Sequence, residues 1–251
     1  MLEAAAWGLV GASSLLIGAI MGAVGSFSDR VVGLVLAFGA GTLISAVAFE
    51  LTEEAFQLGG ADAVVIGLAA GAIAYYLGSV AIARRGGGRR MAASGRDDDE
   101  SSAALLLGAI LDGIPESAVI GITVLEGQVG VPILAAVFLS NLPEAFSSSK
   151  GMCDQGVGLR RVLERWALVV VACGISAGVG YGALEHASDN TIALIQAFAG
   201  GAVLTMLADT MIPEAYTHGM QRDAPRPWLD KAVGLATVLG FALAYLLSTL
   251  D

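Results

Sequence analysis

Apolar residues run along this chain in blocks of about twenty, broken by short polar stretches. Eight blocks can be marked off, over residues 4–25, 31–56, 62–83, 102–123, 129–149, 162–185, 190–216 and 229–249. A helix rises about 1.5 Å per residue, so each block matches the ~30 Å of a bilayer's hydrocarbon core. The pattern predicts eight transmembrane helices in one domain, 1–251, with the second and seventh long enough to tilt or to reach past the lipid.

The charged residues between blocks orient the layout. Arg30 follows the first block. Arg84, Arg85, Arg89, Arg90 and Arg96 follow the third, Lys150, Arg160, Arg161 and Arg165 the fifth, and Arg222, Arg226 and Lys231 the seventh; these are all 13 Lys and Arg of the chain. The opposite side carries no Lys or Arg, only neutral residues and the acids Glu3, Asp62, Glu126, Glu185, Asp189 and Asp251. Cytoplasmic loops hold the Lys and Arg of membrane proteins. Both termini are therefore expected outside the cell membrane, and the basic loops inside.

Composition agrees with the blocks. Charged residues make up 14% and hydrophobic ones 56%, with a mean hydropathy of +0.75, whereas soluble domains carry about 25% charged residues. Cys153 and Cys173 form no zinc-like spacing and no disulfide framework. "MLEAAAWG" lacks a basic leader, so the first block reads as a retained helix. Residues 84–101, rich in Gly, Arg and Asp, read as a flexible cytoplasmic loop. "GVGYG" (178–182) lies inside a block, and no Gly-x-x-x-x-Gly-Lys-Ser/Thr motif occurs, which argues against ATP-driven chemistry by this chain alone.

Two blocks repeat each other. "AFGAGTLISAVAFELTEEAF" (37–56) and "AFAGGAVLTMLADTMIPEAY" (197–216) align without gaps at an offset of 160, matching Phe38 with Phe198, Gly41 with Gly201 and Glu54 with Glu214. They run in opposite directions across the membrane. That is the mark of an inverted repeat, here helices 1–3 against 6–8, around a central pair formed by the fourth and fifth blocks.

The central pair carries the chemistry. "LDGIPES" (111–117) and "LSNLPEA" (139–145) match through Leu111/Leu139, Pro115/Pro143 and Glu116/Glu144. Residues four apart share a helix face, so Asp112 and Glu116 point together, as do Ser140 and Glu144. A carboxylate at the midplane costs about 2.5–3.5 kcal/mol on insertion scales, and no Lys or Arg stands in the centre of any block to offset it. Protons and a metal ion remain. Pro115 and Pro143 cannot donate to the carbonyls of Leu111 and Leu139, which leaves two backbone oxygens free beside the acids. The motif reads as half of a cation cage, from which metal binding would displace protons.

At these residues the chain resembles the ZIP family (Zrt/Irt-like proteins), divalent-metal transporters of eight helices with both termini outside. The family's fourth helix reads His-Asn-x-Pro-Glu, where this chain has Asp112-Gly113-Ile114-Pro115-Glu116. Its fifth helix has a Pro-x-Glu-like motif where this chain has Ser140-Asn141-Leu142-Pro143-Glu144. "FELTEEAF" and "DTMIPEAY" are similar to the family's endings of helices 2 and 7. The resemblance implies a metal site of Asp112, Glu116, Ser140, Asn141 and Glu144, with no side chain from Gly113 for a second metal position. Both histidine-type slots lack histidine, and the sixth block has no central acid.

Carboxylate, amide, hydroxyl and carbonyl oxygens suit Mn²⁺, Mg²⁺ or Ca²⁺, while the family's habit is zinc and iron. The substrate is expected to be a divalent ion such as Zn, Fe, Mn or Mg. Glu50, Glu53 and Glu54 are candidate entrance residues, and Asp209, Glu214 and His218 candidate exit ligands; His186 reads as merely exposed. Gly18/Gly22, Gly67/Gly71 and Gly174/Gly178 permit close helix approach. The function expected is inward transport of a divalent metal ion, without enzymatic activity. The alternatives are an intramembrane aspartyl protease using Asp112 and Asp209, or a metal sensor or scaffold that does not transport. Metal ions and lipid are the expected partners, with a homodimer as the oligomer to test for and nothing pointing to nucleic acid.

Overall fold

A computed structural model describes residues 1–84, 113, 116, 117, 120–124, 131–219 and 231–249. Asp112, Ile114 and Pro115, the loop expected over 84–101 apart from Arg84, and most of the fourth block lie outside the described residues. Among the described residues the chain is helical, with no strand.

The helices are α1 (Leu2–Val24), α2 (Asp29–Ala46), α3 (Glu53–Arg84), α4 (120–124), α5 (Val131–Asp154), α6 (Leu159–Leu184), α7 (Asp189–Met206), α8 (Ile212–Gly219) and α9 (Ala232–Ser248). α2 passes into α3 through a π-helical turn, Val47–Thr52, and α7 into α8 through another, Leu207–Met211. Four helical runs are long and apolar enough to cross a bilayer: Leu2–Val24, Asp29–Ala81, Leu159–Leu184 and Asp189–Gly219. Asp29–Ala81 contains the second block and nearly all of the third. They separate at Gly60, whose φ of 71° and ψ of −174° fall where in practice only glycine goes.

α5 departs from its block, continuing to Asp154 rather than stopping near 149. Its end is closed by Gly156 at φ 90°. The amide of Val157 donates to the carbonyl of Met152, and that of Gly156 to the carbonyl of Cys153, a pairing that satisfies carbonyls left over at a helix end.

The helices fall into two groups. α1 packs on α5 and α6; α3 packs on α7, and α2 on α9. The groups meet where α2 lies against α5. Outer faces are apolar: Leu168, Val171, Ile175 and Val179 make an exposed stripe on α6, and Leu235, Val238, Leu239 and Leu246 one on α9. Water would penalise such stripes, whereas lipid does not. These are the features of an all-α membrane protein.

The element bounds recur at the offset of 160. Ser28 and Ser188, both extended, precede helices that begin at Asp29 and Asp189 and end at Ala46 and Met206. The π turns begin at Val47 and Leu207. The packing recurs as well. A Cβ on Gly41 would strike the carbonyl oxygen of Thr237, and one on Gly201 that of Leu68. Gly240 faces Phe38 O in the same way, and Gly71 faces Phe198 O. The contacts between α2 and α9 thus reappear, residue for residue, between α7 and α3.

Candidate metal centre

α5 is held closely on two sides. Gly18 and Gly22 of α1 leave no room for a side chain over the carbonyls of Leu142 and Phe146, and Gly39 of α2 admits the ring of Pro143, with a Cβ there 2.8 Å from Cγ. Pro143 lies inside the helix, so the amide that would cap Leu139 O is missing.

Beside this break Ser140 and Asn141 are buried, at 2% and 4% exposure, and Glu144 is half-buried. The Ser140 hydroxyl donates to Val137 O at 3.0 Å, which leaves its lone pairs free to accept. Glu116 lies close enough to this cluster to feel the charge of Glu144. It is only 5% exposed, and its Oε2 has no hydrogen-bond partner among the described residues. The carboxylates of Glu116 and Glu144 lie within reach of each other's charge. A carboxylate oxygen without a partner among the described residues, a second carboxylate, a buried amide and a proline-interrupted helix turn thus lie in one region of the structure.

Among the described residues no group of three His, Cys, Asp or Glu side chains is arranged to hold a metal ion. Asp112 and Pro115, which the sequence assigns to the same site, lie outside the described residues.

The structure adds a residue that the sequence reading left aside. Cys173 of α6 is 1% exposed, and its thiol points at Gly113 O at 3.7 Å. Buried Ser117 is within hydrogen-bond reach of the same sulfur, and the charges of Glu116 and Glu144 act on it. The donor set read from sequence held no sulfur; here a thiol stands at its edge. No spacing signals it, because Gly113 and Cys173 are 60 residues apart.

Toward the end of α5, Ser147 lies on the face of Ser140 and Glu144. Its hydroxyl donates to Glu214 Oε1 of α8 at 2.7 Å, and His218 Nε2 lies 3.8 Å from the same oxygen. Glu144 and Ser147 of α5 and Glu214 of α8 thus follow one another with oxygen atoms. Asp209 stands apart from it, exposed on the second π turn. Where α5 ends, Lys150 pairs with Asp154 at 2.7 Å and with Asp29 of α2 at 3.1 Å. The hydrogen bond to Asp154 holds its ammonium above the usual lysine range, against partial burial. Burial likewise pushes the thiol of neighbouring Cys153 up.

Among the candidate entrance residues Glu53 is exposed and Glu50 and Glu54 are half-buried. All three line a cavity of about 400 Å³ together with Gln57, Tyr245 and Ser248. Glu54 accepts from Nε2 of the fully buried Gln196 at 3.1 Å. Glu54 and Glu214, matched at the offset of 160, each stand within one turn of a π segment.

No protein-family model matches the chain, and no curated protein matches it either.

Proposed function

We propose that this chain is a divalent metal ion transporter, carrying a cation such as Zn²⁺, Fe²⁺ or Mn²⁺ across the cell membrane toward the cytoplasm. One observation carries the reading: Glu116 is buried with a carboxylate oxygen that has no partner among the described residues, and it feels the charge of Glu144 beside a helix broken by Pro143. Burial beside a second carboxylate disfavours the ionised form of a carboxyl group, and a bound cation would offset that cost. The line of Ser147, Glu214 and His218 supports an onward path, and the acidic cavity at Glu50, Glu53 and Glu54 an approach.

The architecture in this reading has eight spans, both termini outside, and two inverted halves, helices 1–3 and 6–8, around the central pair. The recurring helix bounds and reciprocal glycine contacts support the repeat. The distribution of Lys and Arg supports the orientation, and the resemblance to the ZIP family supports the transport activity. The substrate ion would rest on Glu116, Glu144, Asn141 and Ser140, with Asp112 completing the set.

The test is uptake of Mn²⁺, Zn²⁺ and Fe²⁺ by the purified protein in proteoliposomes. Glu116→Ala and Glu144→Ala are each expected to abolish uptake. Full uptake by both variants ends the proposal, and binding without flux in the wild type marks a sensor instead.

A further inference from the structure

The site as read from sequence has a gap at Gly113, where the matching motif carries a side chain. The structure fills that gap from another helix. A Cβ built on Gly113 would lie 2.8 Å from Cys173 Sγ, the one contact it would make with another helix among the described residues. The sulfur thus occupies the space that a side chain at 113 would take. It is enclosed, at 1% exposure, with a long contact to Gly113 O and the hydroxyl of Ser117 within reach. A second feature, independent of the cysteine, points to a ligand at the same place: the buried Oε2 of Glu116, without a partner among the described residues.

We propose that Cys173 sets the ion selectivity of this site, giving the Glu116–Glu144 pair a soft sulfur donor that favours thiophilic ions such as Cd²⁺ and Zn²⁺ over Mn²⁺ and Mg²⁺. The inference rests on the transport reading and specifies its substrate class. Oxygen ligands alone favour hard ions, and thiolate ligands favour soft ones. On binding, the sulfur exchanges its contact with Gly113 O for the ion, a sulfur–metal bond forms, and the thiol proton leaves to water. Cys173, Glu116 and Glu144 are not arranged as a closed three-ligand group among the described residues.

The chain has two cysteines, so Cys153→Ser leaves Cys173 as the sole thiol. The purified Cys153→Ser protein is titrated with Cd²⁺ and with Mn²⁺, reading thermal stabilisation and the near-ultraviolet sulfur-to-cadmium charge-transfer band. Expected are a band with Cd²⁺ and stronger stabilisation by Cd²⁺ than by Mn²⁺. Adding Cys173→Ser should remove the band and cut the preference for Cd²⁺ by about tenfold or more, as loss of a metal contact does, while Mn²⁺ still stabilises. Should the double variant fail to fold, the band in Cys153→Ser decides alone. Cd²⁺ binding without the band overturns the inference and leaves the transport reading standing. Binding of neither ion overturns both.

Discussion

The hydroxyl of Ser147 donates to the carboxylate of Glu214 at 2.7 Å, tying α5, which carries the candidate site, to the helix that follows the second π turn. The contact joins the two helix groups at a place where oxygen donors continue away from Glu144. Ser147→Ala is expected to destabilise the protein by about 1.5 kcal/mol, the lower end for a hydrogen bond to a charged group, and to slow metal uptake. Thermal unfolding in detergent and initial uptake rates measure the two effects. An unchanged melting temperature with unchanged uptake would show the contact to be idle.

Glu116→Gln keeps the size of the side chain and removes its charge. The metal-free variant should melt no lower than the wild type, because it no longer sets one buried carboxylate against Glu144. Added Mn²⁺ or Zn²⁺ should then fail to raise its melting temperature. A variant that still gains stability from metal would move the site elsewhere.

Gly41 and Gly201 meet backbone oxygens of α9 and α3 in the same manner. Gly41→Ala and Gly201→Ala should each cost about 1–3 kcal/mol, as overpacking does, and the two costs should be similar. Unequal losses in a detergent melt would mean that the halves do not share one packing scheme.

Lys150→Met removes the pairs with Asp154 and Asp29. Pairs at a surface contribute about 0.2–1 kcal/mol, so the loss should be small and should shrink at high salt. Because the lysine's pKa is raised in the fold, its contribution is fully present at every pH below the ordinary lysine value. It disappears only as pH rises through the higher, folded value. The gap between wild type and variant should therefore stay level across the neutral range, as melts at several pH values would show.

The helical, membrane-crossing character of the chain was legible because apolar runs of twenty residues leave few alternatives. The break between the second and third blocks fell close to Gly60, where the glycine pair at 59–60 is a visible signal. The π turns were not legible, since an extra residue within a helical turn leaves no mark on composition. The end of α5 was placed too early because Lys150 looked like the start of a loop; Gly156, followed by apolar Val157, was the better signal. Ser147 could have been found as the next residue on the face of Ser140 and Glu144. Cys173 could not, since its role depends on a glycine on a different helix.

The reciprocal contacts around Gly41 and Gly201 also limit what each helix can tolerate. At both positions the facing element is a backbone oxygen, of Thr237 or of Leu68, so hydrogen is the one substituent that fits, and relief could come only from a shift of a whole helix rather than from a rotamer change.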